Sequence, residues 1–248
     1  MYQFFAEEQA GEERQVLITG TDVNHIRNVL RMKPGTQIRV STPSGKNYLC
    51  RVARISEEAV WAEIETEVPG TELFGRIVLF QGLPKSDKLA FIIQKAAELG
   101  ASEVVPVAMK NCVAKLDAKK AESKKKRWQS IAESAAKQSR RSVIPAVGDV
   151  ISFSEAVKAA AAFDVRLVCY ENERGMAGTR ALIEAIRPGQ SIAVFIGPEG
   201  GFDASEIALA KEAGMHTVSL GNRILRTETA GLAMLSVLMY QIESAVGG

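Results

Sequence analysis

The sequence predicts an α/β protein in two parts, a small β-rich segment followed by a larger domain built on a mostly parallel sheet. Three observations carry that reading. Near residue 70 the texture changes from short extended runs separated by turn signals to strands alternating with helices. Two segments late in the chain each run from an apolar strand through a glycine-bearing loop into a helix. The composition is globular: 248 residues, 46% hydrophobic and 24% charged, with 31 Lys and Arg against 29 Asp and Glu for a formal charge of +2. A chain of that size and make-up can bury a real core and is not disordered.

From Phe4 to about Pro69, the runs QVLIT, TQIRVSTPSGKNYLCRVARI and AVWAEIETEV read as strands. KPGT and PSGK read as turns in which Gly35 and Gly45 supply positive φ. One helical stretch, DVNHIRNVLRM, interrupts them, with Asp22 or Thr21 placed to cap it. Together they predict a small β-barrel carrying one helix. After Val68-Pro69-Gly70, RIVLFQGL is a buried strand, KLAFIIQKAAELG a helix closed by Gly100, and EVVPVAM a second strand. KRWQSIAESAAKQSRR is a helix ended near Pro145; the helix FSEAVKAAAA leads to the strand VRLVCYE. SIAVFIG and HTVSLG complete the strands, and a long helix runs from about Thr227 to Glu243. That helix is apolar almost all round, so cover is expected from its own domain or from a second subunit.

Several classes are disfavoured. The longest apolar stretch, Ala230 to Tyr240, is well short of the roughly 20 residues that span a bilayer, so no membrane span is expected. Acidic residues stand at the N-terminus where a secretory signal would be basic and then apolar, which points to a cytoplasmic protein. Cys50, Cys112 and Cys169 are far apart, with no C-x-x-C pair, and His25 and His216 are the only histidines. A metal site or a Ser-His-Asp triad therefore has little material, and the chemistry is expected to belong to something bound.

The sharpest chemical signal is SIAVFIGPEGGFDASEIALAKEAG, with Asp203 and Glu206 spaced as a capping box. Glycines at the end of a buried strand let a ligand approach the backbone closely. Gly197, Gly200 and Gly201 fit neither G-x-G-x-x-G nor a Walker A loop, which disfavours a dinucleotide or ATP. A second segment, VSLGNRILRTETAGLAMLSVLMY, repeats the plan with its turn at Gly221. Arg226 and Glu228 there read either as a salt bridge at a helix start or as binding residues in a glycine-flanked loop.

FIGPEGGFDASE followed by LGNRILRTETA resembles the signature of the SPOUT methyltransferases, specifically the ribosomal small-subunit RNA methyltransferase E (RsmE) family. HIRNVLRMKPG, GLPKSDKLAFIIQKAAELGASEVVPV and ESAAKQSRRSVIP resemble that family's segments in the same order, so the likeness covers nearly the whole chain. The resemblance implies a PUA-like, RNA-binding β-barrel over residues 1–70. It further implies a SPOUT domain over residues 71–248 with a deep C-terminal trefoil knot, an exception to the rule that chains do not thread their own loops. Also implied are a homodimer, S-adenosylmethionine (SAM) bound in the knot, and formation of 3-methyluridine in 16S rRNA of the small ribosomal subunit.

By position, the resemblance makes Ile196, Gly197, Pro198, Glu199, Gly200 and Gly201 one wall of the SAM site. Leu220, Gly221, Ile224, Leu225 and Arg226 form another, with Thr229 and Ala230 at the start of the final helix and Cys169, Tyr170 and Glu171 as a third wall. Methylation at N3 of uridine needs the base positioned and its proton removed. Arg226 could stabilise the anion as it forms; Glu228 could take the proton or orient Arg226, and bracing of the knot is the structural alternative for both.

For the substrate, residues 110–127 hold eight basic groups (Lys110, Lys115, Lys119, Lys120, Lys124, Lys125, Lys126, Arg127) against Asp117 and Glu122, a local charge of +6. Such density attracts phosphates, although lysine runs are more often solvated helix faces. Arg140, Arg141, Lys85, Lys88, Arg27 and Arg31 would extend the basic surface toward RNA. A ribose 2′-O-methyltransferase with a similar knot and a non-catalytic RNA-binding assembly factor are the alternatives.

Overall fold

The computed structural model of the chain describes residues 1–8, 14–114 and 116–246. It divides into two compact units, Met1–Glu72 with Ala136–Ile144, and Leu73–Ala135 with Pro145–Gly248. The sequence reading divides the chain once; in the structure a second segment returns to the first unit.

In that first unit, β1 (Gln3–Phe5), β2 (Glu7–Glu8), β3 (Gln15–Thr19), β4 (Gln37–Ser41), β5 (Asn47–Ile55) and β6 (Ala59–Glu67) form one sheet in the order β1-β4-β5-β6-β3-β2. Only β1 with β4 is parallel. Period-2 alternation sends Val16, Ile18, Ile38, Val40, Cys50, Val52, Val60 and Ala62 into a single core with Phe4. Register shifts at Leu49/Cys50 and Val52/Arg54 break the long β5–β6 pairing, and irregularities of that kind bend a ribbon and increase its twist. Both expected turns form, with Gly35 at φ +91 and Gly45 at φ +84.

The helical stretch differs from expectation. α1 (Thr21–Asn24) passes into a single π-helical segment, His25–Val29, and Val23 and Ile26 reach the core. Neither Thr21 nor Asp22 caps it: Gly20 holds the N-cap at φ +69, and the Asp22 carboxylate takes the stronger partner, the Lys137 ammonium at 2.8 Å. Glu72 fastens the returning segment, accepting the backbone N–H groups of Ser142 at 2.8 Å and Val143 at 3.1 Å and pairing with the Arg141 guanidinium. Arg141 is thereby only 5% exposed. This corrects its assignment to a basic surface, since a guanidinium leaves water only when its charge is paired.

The second unit holds β7 (Arg76–Gly82), β8 (Glu103–Ala108), β9 (Ala146–Val147), β10 (Ile151–Ser152), β11 (Val165–Cys169), β12 (Ser191–Ile196) and β13 (His216–Val218). They pair in the order β10-β8-β7-β12-β11-β13, with β9 also on β8, and every pair is parallel. The helices are α2 (Lys88–Glu98), α3 (Ala118–Ser139), α4 (Phe153–Ala160), α5 (Ala177–Glu184), α6 (Ala204–Glu212) and α7 (Thr227–Val246). Near-continuous apolar strands are what a sheet covered on both faces requires. Ile77, Leu79, Ile192, Val194 and Ile196 join α2, α3, α5 and α7 in one core; the alternate residues Val78, Phe80, Ala193 and Phe195 join α4 and α6 in another.

Helix α5 and the two-residue strands β9 and β10 are additions to the sequence reading. α5 opens after Met176 with no side-chain cap, so it carries no start signal. Helix α7 is, by length and composition, apolar enough to cross a bilayer. In this fold Met234, Leu235, Leu238 and Ile242 belong to the domain's own core, with Val237 46% and Tyr240 72% exposed on another side.

Candidate functional site

The strands β7, β12, β11 and β13 lie side by side, and the loops at their C-terminal ends enclose a cavity of about 480 Å³. Such a position is where open parallel sheets bind ligands, and the volume is within the usual small-molecule range of roughly 300–1,000 Å³. Its walls are Ile196 to Gly201 after β12, Cys169, Tyr170, Glu171 and Arg174 after β11, and Ser219 to Thr227 after β13, with Ala230 and Lys88 completing it.

Local sequence shapes each wall. A Cβ on Gly82, at the end of β7, would lie 2.6 Å from the Pro198 nitrogen and 3.0 Å from the Gly197 carbonyl carbon, so only glycine lets the β12 loop cross there. Gly201 turns at φ +66, and a Cβ on it would collide with the Glu171 carboxylate. Asp203 and Glu206 form the expected capping box at the start of α6. Glu206 also accepts the Lys110 backbone N–H at 2.9 Å, fixing the loop after β8.

The two glycine loops are joined by one buried hydroxyl. Thr227 Oγ1 donates to the Gly197 carbonyl at 2.6 Å and accepts from Gln81 Nε2 at 2.8 Å. Gln81 is 0% and Thr227 5% exposed. Ser219 is held in turn by its N–H, which donates to Thr179 Oγ1 at 2.9 Å.

Lys88 bridges two carboxylates, 3.0 Å from Glu199 and 3.2 Å from Glu228, and so ties the starts of α2 and α7 to the β12 loop. The hydrogen bond to Glu199, and then that to Glu228, raise the ammonium's pKa above its ordinary value against the opposing effect of desolvation. Burial alone would raise the Glu199 carboxyl, but hydrogen bonds from Lys88 and from the backbone N–H groups of Glu199 and Lys85 hold it below its ordinary value. Burial pushes the Cys169 thiol up to about 12, so it serves as an apolar wall and not as a thiolate.

Most residues singled out from the sequence come together here: Ile196 to Gly201, Tyr170, Glu171, Leu220, Gly221, Ile224, Leu225, Arg226 and Ala230 all line the cavity. Thr229 is exposed and does not line it; its neighbour Thr227 does. Glu228 stands behind the lining, paired with Lys88. Lys88 itself belongs to this cluster and not to an exposed basic surface. The sequence reading missed Thr227, Ser219 and Arg174, and left Asn222 and Arg223 unassigned although they stand inside the quoted motif.

The basic stretch is less positive than its own residues suggest. Lys110, Lys120, Lys125, Lys126 and Arg127 pair with Asp203, Asp117, Asp149, Glu122 and Asp87, and Lys124 sits over the Trp128 ring at 5.8 Å. Lys119 is exposed, and Lys115 lies outside the described residues. Lys85, Arg31 and Arg140 are exposed, and Arg27 pairs with Glu57 at 3.1 Å.

Residues 71–239 match the family described as RNA methyltransferase domain, and residues 18–65 that described as RNA methyltransferase PUA domain. The ribosomal RNA small subunit methyltransferase E of Bacillus subtilis (strain 168) is 39% identical over 98% of this chain and 98% of its own. That of Mesomycoplasma hyopneumoniae (strain 232) is 35% identical, covering 95% and 98%. The crystal structure of the Neisseria gonorrhoeae enzyme of that name, bound to S-adenosyl methionine, is 33% identical and matches with a TM-score of 0.82 over 97% of both chains.

Proposed function

The chain belongs to the ribosomal RNA small subunit methyltransferase E family, and from that premise we propose that it transfers a methyl group from SAM to N3 of a uridine in 16S rRNA. The observation that carries the reading is the cavity framed by the GPEGG and LGNRILRTETA loops. The residues present fit the cofactor. Ile196, Leu220 and Leu225 offer the apolar slot an adenine needs, Gly82 lets the β12 loop cross beneath it, and Gly201 adds no side chain to the wall. Ile196 to Gly201, Leu220, Gly221, Ile224, Leu225, Arg226, Ala230, and Tyr170 with Glu171 would hold it, and Thr227 would keep the two loops together.

When bound, the cofactor supplies an electrophilic methyl group on a sulfonium, displaced in line by a positioned nucleophile. The protein's part is to bring in uridine N3 and deal with its proton. Arg226 is exposed at the cavity, with no carboxylate partner among the described residues, and is assigned to stabilise the negative charge that develops on the base. Glu228, behind the lining and held by Lys88, is assigned either to take the proton or to orient Arg226 two residues before it.

Residues 1–70 are proposed as an RNA-binding module using Arg27 and Arg31, and residues 71–248 as the methyltransferase, with Lys85, Lys124, Lys125 and Arg140 contacting RNA. We assign a cytoplasmic homodimer using the exposed side of α7. The reading is tested by incubating protein and SAM with small ribosomal subunits from cells lacking this gene, then digesting the RNA for mass spectrometry of nucleosides. A gain of 3-methyluridine is expected; a ribose-methylated product would move the reaction to a 2′-O-methyltransferase, and no product would refute turnover on this substrate.

A further inference from the structure

We propose that Arg174 and Arg223 form a phosphate clamp at the cavity mouth, holding the RNA backbone beside the target nucleotide; the proposal rests on the RNA methyltransferase reading above. Both side chains line the cavity, both are exposed, and they come from different loops, after β11 and after β13. Neither has a carboxylate partner among the described residues, whereas Arg27, Arg51, Arg76, Arg127, Arg141 and Arg180 each have one. Arg174 makes a long 3.4 Å contact from Nη1 to the Glu171 carbonyl. Of the other cations lining the cavity, Lys88 is already shared by two carboxylates, and Arg226 is the one assigned above to the reacting base. The uncommitted positive charge of the mouth is therefore on guanidinium groups.

The ligand chemistry follows from what must enter. A base reaches into a cavity only by leaving its stack, which brings the phosphates on either side of it to the rim. A guanidinium matches a phosphodiester with two parallel hydrogen bonds and is less strongly hydrated than an ammonium. Ile224, next to Arg223, is 86% exposed, an apolar surface against which a nucleoside can rest while the neighbouring charges take the phosphates. The other anion that could meet these arginines is the carboxylate of SAM, and the two sources make opposite demands on experiment.

The test uses the full-length protein, wild type and the double variants R174A/R223A and R174K/R223K. Binding to 16S rRNA is measured across a salt series, and SAM affinity by calorimetry. Each lost phosphate contact lowers the slope of log K against log salt by about 0.7 to 0.9, so the alanine pair should be shallower by about 1.5 and bind RNA roughly tenfold or more weakly. SAM affinity should stay near wild type, and the lysine pair should recover most of the slope. An unchanged slope overturns the clamp, and weakened SAM binding with it would assign the arginines to the cofactor's carboxylate. The binding arm reads the clamp without turnover, so failure of the wild type to yield methylated nucleoside counts against the catalytic reading alone.

Discussion

Replacing Thr227 by valine removes one oxygen and almost no volume, from the point where the two glycine loops meet. The hydroxyl makes two buried bonds, to the Gly197 carbonyl at 2.6 Å and from Gln81 Nε2 at 2.8 Å. Gln81 keeps a second acceptor, the Gly82 carbonyl at 3.1 Å, so the main loss falls on Gly197. A net bond is worth about 1 kcal/mol and a buried carbonyl left unpaired adds its desolvation, so Thr227→Val should destabilise the fold by about 2–3 kcal/mol. For a chain of this length that lowers Tm by roughly 4–12 °C. Both loops line the cavity, so SAM affinity should fall about tenfold, equivalent to roughly 1.4 kcal/mol. Urea unfolding and calorimetry read the two effects, and Thr227→Ser should restore both. Stability and affinity indistinguishable from wild type in the valine variant would show that the hydroxyl does not join the loops.

Arg226→Ala should lower methyl transfer by about 10²–10³, the usual cost of removing a transition-state charge stabiliser, while weakening SAM binding far less; equal losses would demote it to a cofactor contact. On α7, Tyr240→Asp should yield monomers by light scattering, because Tyr240 is 72% exposed. Leu238→Asp should instead unfold the protein, since a carboxylate would sit unpaired at a position 0% exposed; a folded Leu238→Asp monomer would reverse that assignment. Hydrogen bonds from Ser205 and then Lys110 hold Asp203 at about 2, below its ordinary 3.8. A depressed carboxylate stabilises above its unfolded value and is lost as pH falls through its folded one, so its contribution should disappear between about pH 4 and pH 2. An Asp203→Ala protein whose acid unfolding profile matches wild type over that window would contradict this.

Elements whose physics is local were legible in the sequence. The strands of the second unit announce themselves by apolar runs, and Asp203 with Glu206 by capping-box spacing. The two glycine loops locate the cavity because glycine is required where backbones cross or turn left-handed, as Gly201 does at φ +66. What stayed hidden depends on partners distant in the chain. Thr227 looks like an ordinary first residue of a helix until Gln81, 146 residues away, meets its hydroxyl. Arg141 reads as surface charge until Glu72 buries it, and Lys88 as an RNA contact until Glu199 and Glu228 claim it. The charge of the lysine-rich stretch was overstated for the same reason, because Asp87, Asp149 and Asp203 lie outside the stretch they neutralise.

The cavity between the β12 and β13 loops is proposed as the cofactor site, and every other assignment depends on it. A crystal structure of this protein grown with SAM tests that most directly. The cofactor is expected between Ile196–Gly201 and Ser219–Thr227, its adenine against Ile196, Leu220 and Leu225. Cofactor bound at any other place on the chain, or none bound at saturating concentration, would contradict it.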